Sequence, residues 1–217
     1  MHKSINNLAL INNQIKSKFG EIKNLNIIAV SKTFPFSEIE PLINNGHVHF
    51  GENKVQEAMQ KWGNIKSSFK DLKLHMVGKL QTNKVKYAVT LFDYIHSLDN
   101  IKLAEKISIE QKKINKNLKI FIQVNLGNES QKSGIEKENL KNFYEKCTKE
   151  LQLNIIGLMC LPPLEGAVSL YFKEMLELNK FIGLKDLSIG MSSDYIDAID
   201  HGATFVRIGS KIFGNRS

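Results

Sequence analysis

The sequence has only two cysteines among 217 residues, Cys147 and Cys160, and they form no CxxC pair. Zinc sites and disulfide frameworks need cysteines or histidines clustered at short spacings, so neither a metal site nor a disulfide is predicted. A reducing, cytoplasmic setting is expected. The sequence also lacks any apolar run of the roughly 18 residues needed to cross a bilayer. Asparagines interrupt the apolar residues of segment 1–20, so this segment is predicted to be a surface helix and not a signal peptide.

The chain also lacks the sequence features of nucleic-acid-binding proteins. Its formal net charge is +8, from 30 Lys and Arg against 22 Asp and Glu. However, it contains no arginine-rich tract and no basic stretch interleaved with aromatic residues, which would contact phosphates and stack on bases. We therefore interpret the positive charge as a solvated basic surface with a mild attraction for small anions, and we predict no nucleic-acid partner.

No linker rich in proline, glycine or serine divides the chain, so the sequence predicts one domain over residues 1–217. Short apolar segments alternate with longer amphipathic segments throughout. The predicted strands are Asn26–Lys32, His47–Gly51, Lys73–Val77, Tyr94–Ser97, Lys119–Asn125, Asn154–Met159, Asp186–Ile189 and Thr204–Ile208. Eight strands separated by helices, with an additional N-terminal helix, predict an α/β fold, a parallel (β/α)8 barrel of the TIM type. An open doubly wound sheet is the alternative, although it rarely has eight evenly spaced strands.

The string IIAVSKT, residues 27–33, ends a predicted core strand with Lys32. A buried ammonium is costly, so such a lysine reaches solvent, pairs with an acid or loses its proton. In the last case the neutral amine is a nucleophile. In a (β/α)8 barrel the functional site lies just past the carboxyl ends of the strands. Lys32 lies there after the first predicted strand, as do Glu52 and Asn53 after the second and Gly78 after the third.

The loops after the last two predicted strands indicate an anion site. In SIGMSSD, Ser192 or Ser193 is predicted to cap the next helix, and in VRIGSKIFG, Gly209 and Ser210 are predicted to open a short terminal helix. Free N–H groups at helix N-termini attract anions, and barrels of this type frequently bind phosphate at the loops after strands seven and eight. For each loop taken singly, an ordinarily capped helix is the alternative interpretation.

Arg207 lies two residues before Gly209 and is predicted to point into the barrel, where its guanidinium needs an acceptor. It can form a structural ion pair, or it can donate to a ring nitrogen or a carboxylate of a ligand. A phosphorylated aldehyde with a ring nitrogen would use Lys32, the two glycine–serine loops and Arg207 together. Its carbonyl would form a Schiff base with Lys32, its phosphate would lie in the glycine–serine loops, and Arg207 would face the ring nitrogen. This description fits pyridoxal 5′-phosphate.

Seven strings in the same order make the chain resemble the pyridoxal phosphate homeostasis proteins, a family of single-domain barrels similar to the N-terminal domain of alanine racemase. The strings are AVSKT, FGENKVQE, HMVGKLQTNK, QVNLGNESQKSG, GLMCLPP, LSIGMSSD and VRIGSKIFG. The resemblance extends from about Ile28 to Gly214, nearly the whole chain. It implies the barrel of fold type III enzymes that use pyridoxal phosphate.

The resemblance also implies which residues bind the cofactor. Lys32 would carry it as a Schiff base, Arg207 would pair with the pyridine nitrogen, and the phosphate would lie against the end of the barrel formed by the last two loops. The phosphate residues would be Ser192, Gly209 and Ser210. Asn53 of the GEN string, and His75 and Met76 on the third strand, would lie near the cofactor.

The function implied by the resemblance is reversible binding of pyridoxal phosphate in vitamin B6 homeostasis, without catalytic residues and with delivery of the cofactor to transient apo-enzyme clients. A monomer is expected, because the second domain that gives related racemases their dimer contacts is not expected here. The alternative is a racemase or decarboxylase of the same fold type. Two points count against it. An arginine stays protonated and leaves the ring nitrogen without a proton, which weakens the ring as an electron sink. Racemisation also needs a second acid or base on the opposite face, which related racemases take from a second domain that is not expected here.

Three other strings suggest different sites, each with low specificity. GNESQKSG resembles a P-loop but has no glycine before Lys132, so nucleotide binding is not predicted. His47 and His49 can ligate a metal, but no third ligand is evident nearby. Glu52 can act as a general base, although a carboxylate that caps the following helix is the simpler interpretation.

Overall fold

Strands and helices alternate along the chain in the computed structural model, which describes residues 2–127, 133–163 and 166–214. The strands are β1 (Asn26–Val30), β2 (His49–Glu52), β3 (Lys73–Met76), β4 (Tyr94–Leu98), β5 (Lys119–Asn125), β6 (Ile135–Glu136), β7 (Asn154–Met159), β8 (Asp186–Met191) and β9 (Phe205–Ile208). The α-helices are α1 (Lys3–Phe19), α2 (Phe36–Asn44), α3 (Val55–Trp62), α4 (Val85–Leu91), α5 (Ile101–Lys113), α6 (Leu140–Glu145), α7 (Val168–Ile182), α8 (Tyr195–Asp200) and α9 (Ser210–Phe213). A π-helical segment, Lys146–Glu150, extends α6.

Eight of these strands form a closed barrel. They pair in the order β4-β3-β2-β1-β9-β8-β7-β5, and β4 also pairs with β5, which closes the sheet on itself. The pairings are parallel, with Ala29 opposite Phe50 and Ile28 opposite Arg207. The two-residue strand β6 is attached to the carboxyl end of β5. The predicted (β/α)8 barrel with an additional N-terminal helix is confirmed, and the doubly wound alternative is excluded.

The barrel strands are buried on both faces, which explains why they read as continuous apolar runs. Side chains on the outer face pack against the helices, and Trp62 of α3 is the largest side chain buried in this layer. Side chains on the inner face form a second, smaller cluster of Ile28, Val30, Tyr94, Phe121, Met159 and Phe205. This inner cluster fills the barrel, so a site can form only at its ends.

Helix α1 is the predicted additional helix, and it packs against the elements at the end of the chain. Its buried side chains include Leu8, Ile11 and Ile15, spaced as one apolar face of a helix. The Asn7 amide donates to the carbonyl oxygen of Ile212 in α9 at 2.9 Å. The hydroxyl of Tyr195 donates to Gln14 Oε1 at 2.6 Å. The helix therefore fastens α8 and α9 to the barrel.

Six of the eight predicted strands differ from the observed strands by one or two residues at an end, and the differences in β1 and β8 have identifiable reasons. Strand β1 ends at Val30 and not at Lys32, because the chain turns at Lys32 and Thr33 and the backbone of Thr33 has a φ of 69°. Strand β8 continues to Met191, past the predicted end at Ile189. Gly190 allows this with a φ of 87° and an irregular register against β9.

The remaining sequence predictions concern the P-loop-like string, membrane-spanning helices, metal sites and the two cysteines. The P-loop-like string includes residues 128–132, which lie outside the described residues. In the described part of the chain, no helix is both long and apolar enough to cross a bilayer. That part also has no group of three or more side chains placed to hold a metal ion. Cys147 and Cys160 are buried free thiols.

Candidate functional site

A cavity of about 1220 Å³ lies at the carboxyl ends of the barrel strands. Most of its walls are side chains from the ends of the strands and from the turns that follow them. Residues lining it are Val30, Lys32, Phe34, Asn53, Val77, Gly78, Lys79, Gln123, Val124, Asn125, Ser133, Leu161, Pro162, Met191, Ser192, Ser193, Arg207, Gly209, Ser210, Lys211 and Gly214. Four of these are cationic and, among the described residues, none is a carboxylate. The cavity therefore favours an anionic ligand.

Six of the eight predicted site residues line this cavity, and two do not. Met76 is 1% exposed and packs in the layer between barrel and helices. Because side chains alternate along a strand, Met76 faces away from the side to which its neighbour His75 points. His75 lies inside the barrel, where its ring is hydrogen-bonded to His49 and His96 and not exposed to the cavity. The structure therefore corrects the placement of both residues beside the cofactor.

Lys32 occupies a turn whose flanking residues are fixed on both sides. Before it, the hydroxyl of Ser31 donates to Glu52 Oε1 at 2.8 Å. After it, the N–H of Thr33 donates to Glu57 Oε1 at 2.5 Å. The positive φ of Thr33 is a strained conformation for a β-branched residue, and such strain persists only where the surroundings impose it. Neighbouring carboxylates thus hold the backbone that carries Lys32.

Lys61 on α3 joins these two carboxylates. Its Nζ donates to Glu52 Oε1 at 2.9 Å, to Glu57 Oε1 at 3.1 Å and to the carbonyl oxygen of Ser31 at 2.8 Å. The Lys61 side chain is 8% exposed and that of Glu52 is 0% exposed, so this ion pair is almost completely removed from water. Trp62 Nε1 also donates to Glu52 Oε1, at 3.0 Å. Burial would raise the pKa of Glu57, but its hydrogen bonds from Thr33 and Lys61 lower it below its ordinary value.

The interpretation of Glu52 as a helix cap is therefore wrong. Helix α3 begins after Lys54 without a side-chain capping hydrogen bond, and Glu52 points instead into the buried network beneath the turn. Part of this network had a sequence signal, because Glu57 and Lys61 are four residues apart on one helix. The contact between Ser31 and Glu52 had none, since it joins two neighbouring strands.

Arg207 is buried at the base of the cavity, with 5% of its surface exposed. Nη1 donates to the carbonyl oxygen of Ser188 at 2.6 Å and to its hydroxyl at 2.7 Å, and Nη2 donates to the carbonyl oxygen of Cys160 at 2.8 Å. Burial lowers the pKa of Arg207, but a guanidinium remains protonated at neutral pH. No carboxylate pairs with it in the described part of the chain. The predicted alternative of a structural ion pair is thus not realised, and the charge is held by neutral acceptors.

The two glycine–serine loops meet at Ser192. Its hydroxyl accepts the N–H groups of Gly209, at 3.2 Å, and of Lys211, at 3.4 Å. Gly209 precedes α9, as predicted, and a Cβ atom there would lie 3.3 Å from the carbonyl oxygen of Val30. The glycine therefore lets this loop approach β1 closely. Ser192, Gly209, Ser210 and Lys211 all line the cavity, and a phosphate oxygen could replace the Ser192 hydroxyl as the acceptor of the two N–H groups. Together with the hydroxyls of Ser192 and Ser210, this donor set suits a phosphate.

The prediction that Ser192 or Ser193 caps α8 is wrong. Asp194 occupies that position, and its Oδ1 accepts the N–H of Met191 at 2.6 Å, which closes the turn between β8 and α8. This leaves the Ser192 hydroxyl available to the neighbouring loop. A serine and an aspartate two residues apart are both good capping residues, so composition alone did not distinguish them.

The polar residues of the cavity wall that sequence reasoning did not assign to the site include Lys79, Gln123, Asn125, Ser133 and Lys211. Lys79 and Gln123 lie at the carboxyl ends of β3 and β5, where the rule that located Lys32 would also have found them. The Lys211 ammonium lies 4.8 Å from the centre of the Tyr195 ring, a cation–π contact that had no sequence signal.

The chain is similar in sequence to proteins of a known family. The family described as "Alanine racemase, N-terminal domain" matches residues 7–217. A pyridoxal phosphate homeostasis protein of Aquifex aeolicus is 41% identical over 199 residues, which cover 88% of this chain and 86% of that protein. Another, from Vibrio cholerae, is 37% identical over 225 residues, covering 97% and 95%.

Solved structures show the same similarity. The structure of PipY of Synechococcus elongatus with pyridoxal phosphate (PLP) bound has a TM-score of 0.87 and 32% identity, and the match covers 97% of this chain and 100% of that chain. An alanine racemase of Clostridium difficile has a TM-score of 0.73 at 14% identity, and the match covers 97% of this chain and 57% of that one. The second likeness shows a shared fold alone.

Proposed function

The chain belongs to the alanine racemase N-terminal domain family and, within it, to the pyridoxal phosphate homeostasis proteins, and we propose that it binds pyridoxal 5′-phosphate reversibly in the cavity described above. Its role is then to hold this cofactor within the cell's vitamin B6 supply, without catalysing a reaction of its own. The observation that carries the proposal is the composition of the cavity: a lysine on a fixed turn, a buried arginine held by neutral groups and a glycine–serine loop, with no carboxylate among the described lining residues.

The residues present fit each part of the cofactor. The hydroxyls of Ser192 and Ser210 suit the phosphate, and the N–H groups of Gly209 and Lys211 would exchange the Ser192 oxygen for a phosphate oxygen, because a phosphate accepts several hydrogen bonds at once. Arg207 suits the ring nitrogen, since a guanidinium only donates. Lys32 supplies the amine. When bound, the cofactor brings an aldehyde that condenses reversibly with an amine and releases one water molecule.

The protein's own groups explain why holding the cofactor is favoured over turning it over. Arg207 donates and does not give up its proton, so it leaves a ring nitrogen opposite it without a proton and weakens the electron sink that a carbanion needs. Among the described residues that line the cavity there is no histidine, tyrosine, cysteine, aspartate or glutamate. Amino groups are therefore the titratable groups available there besides Arg207, and a general acid–base pair of different residue types is not present in that set.

The remaining parts of the proposal come from the sequence. The binding unit is one domain over residues 1–217, acting as a monomer in the cytoplasm, and its clients are apo-enzymes that it contacts transiently. Asn53 lies at the cavity wall and is proposed to contact the cofactor. Cys147 and Cys160 are buried, and burial raises the pKa of each thiol to about 12, so neither thiol is expected to take part in the proposed binding.

A spectroscopic titration tests the proposal. Purified protein is mixed with pyridoxal phosphate, and the visible absorption of the bound cofactor is followed for the wild type, Lys32→Ala and Lys86→Ala, a change of an exposed lysine on α4 outside the cavity lining. The wild type and Lys86→Ala are expected to saturate with a shifted band, and Lys32→Ala is expected to show only the spectrum of free cofactor. The same proteins are then given D- and L-alanine. Sustained racemisation or decarboxylation by the wild type that Lys32→Ala abolishes would reject the holding function in favour of an enzyme.

A further inference from the structure

Three histidines form a continuous series of hydrogen bonds inside the barrel, and this series of hydrogen bonds ends at Arg207. His49 Nδ1 lies 2.9 Å from His75 Nε2, and His75 Nδ1 lies 2.9 Å from His96 Nε2. His96 Nδ1 lies 2.9 Å from the hydroxyl oxygen of Ser188. That oxygen accepts a hydrogen bond from Arg207 Nη1 at 2.7 Å. Residues of β2, β3, β4, β8 and β9 are thus linked across the barrel interior.

Aromatic packing fixes the histidine rings. His75 stacks on Tyr94 with ring centres 4.2 Å apart, and His96 stacks on Phe121 at 4.3 Å, both with planes 17° apart. Phe205 contacts both histidines from β9. His75 and His96 are 0% exposed, so these rings cannot turn without displacing the inner core.

The chemistry of Arg207 determines which atoms donate and which accept in this series of hydrogen bonds. A guanidinium has only donors, so the Ser188 oxygen must accept from it. The other partner of the Ser188 hydroxyl, within the described residues, is His96 Nδ1. A hydroxyl oxygen can accept twice, but if His96 Nδ1 also donated to it, the buried hydroxyl proton would have no acceptor among the described residues. The hydroxyl proton therefore goes to His96 Nδ1, and the proton of His96 is on Nε2.

The direction of the hydrogen bond from Ser188 sets the direction of the two bonds between the histidines. His96 Nε2 donates to His75 Nδ1, and His75 Nε2 donates to His49 Nδ1. Each of the three rings carries its proton on Nε2. A second proton on His75 would bring two N–H groups together, and a second proton on His96 would face the proton of the Ser188 hydroxyl. Burial, then the charge of Arg207, lowers the pKa of His96 well below its ordinary value, and burial, then His96, does the same for His75. For His49, burial, then the charges of Lys73 and Lys119 against the opposing charge of Asp93, lowers the pKa to about 4.

We propose that Ser188, His96 and His75 are positioning residues that hold Arg207 as a single oriented donor toward the cavity. A carboxylate partner would hold the guanidinium but would also compensate its charge. A hydroxyl that is polarised by a directional chain of neutral rings holds it and leaves the charge to the ligand. This rests on the proposed function, in which Arg207 faces the cofactor's ring nitrogen.

The protonation pattern is measured first, on unliganded protein labelled with ¹⁵N. Long-range ¹H–¹⁵N correlation spectra distinguish a proton on Nδ1 from one on Nε2. Between about pH 6 and about pH 8, on either side of the ordinary histidine pKa of ~6.5, His49, His75 and His96 are expected to be neutral with the proton on Nε2. A proton on Nδ1 of His75 or His96, or a protonated ring at pH 6, would overturn the proposal. This result does not depend on cofactor binding, so it stands apart from the proposed function.

The effect on Arg207 is measured with Ser188→Ala and, as the conservative control, Ser188→Thr, which keeps a hydroxyl. Ser188→Ala is expected to bind pyridoxal phosphate about tenfold more weakly, the effect of about one hydrogen bond to a charged group, and to shift the absorption maximum of the bound cofactor. Ser188→Thr is expected to restore both. Unchanged affinity and absorption in Ser188→Ala would overturn the proposal. If either variant fails to fold by circular dichroism, His96→Gln and His96→Leu replace the pair, and only the glutamine, which keeps an acceptor, is expected to retain the wild-type absorption maximum.

Discussion

Replacing Lys61 by methionine removes the cation that joins Glu52, Glu57 and the carbonyl oxygen of Ser31 beneath the turn of Lys32. Methionine keeps most of the apolar length of the side chain, so the change mainly removes charge. Glu52 is completely buried, and removing one partner of a buried ion pair costs about 3–5 kcal/mol because the other charge is left uncompensated. Glu57 is partly exposed, so its share of the loss is expected to be at most about 1 kcal/mol. The expected loss, about 3–5 kcal/mol, is a large part of a typical stability of about 5–15 kcal/mol.

Urea denaturation at neutral pH measures this loss, and two further variants identify its cause. Lys61→Met with Glu52→Gln removes both charges, so it is expected to recover about half or more of the stability that Lys61→Met loses. Lys54→Met, an exposed lysine at the start of the same helix, is expected to change stability by less than about 0.5 kcal/mol. A loss below about 1 kcal/mol for Lys61→Met, or a double variant no more stable than the single one, would refute the role assigned to the buried network.

Two further predictions concern the barrel interior and the loop after β8. Because burial lowers the pKa of His75 and His96 in the folded protein, the unfolded chain binds protons below about pH 6.5 that the folded protein does not bind. The free energy of unfolding is therefore expected to fall by about 1.4 kcal/mol per pH unit for each such histidine as the pH drops from about 6 to about 5. Urea midpoints measure this change. A free energy of unfolding that stays constant over this pH range would contradict the buried, neutral rings. Gly190→Ala is expected to destabilise the protein by more than about 2 kcal/mol, because the backbone has a φ of 87° and the new Cβ would lie 2.4 Å from that of Ala198; thermal unfolding of this variant within a degree of the wild type would show that the loop adapts freely.

The sequence was sufficient to predict the barrel because the information for it is local. Apolar runs bounded by turns mark the strands, and their alternation with amphipathic segments fixes the parallel topology. The position of Lys32, Arg207 and Gly209 at one end of the barrel follows from the rule that parallel strands present their carboxyl ends together. Met76 could also have been placed from sequence, since it is adjacent to His75 and must face the opposite side of β3.

The interactions that fix the site were not predictable, because their partners are far apart in the chain. Ser188 reaches His96 across 92 positions of the sequence. Lys61, on helix α3, donates a hydrogen bond to the carbonyl oxygen of Ser31, 30 residues earlier in the sequence. Such contacts depend on the closure of the barrel and on the register between strands, which single-sequence patterns do not specify.

The proposed function requires the amine of Lys32 to bond the aldehyde carbon of pyridoxal phosphate. Protein saturated with the cofactor is treated with borohydride, which makes the carbon–nitrogen bond permanent, and is then digested with trypsin. Trypsin does not cleave after a modified lysine, so mass spectrometry is expected to find the cofactor on a peptide that runs uncut from Asn24 to Lys54. Label on any other lysine, with the peptide ending at Lys32 recovered unmodified, would contradict the account.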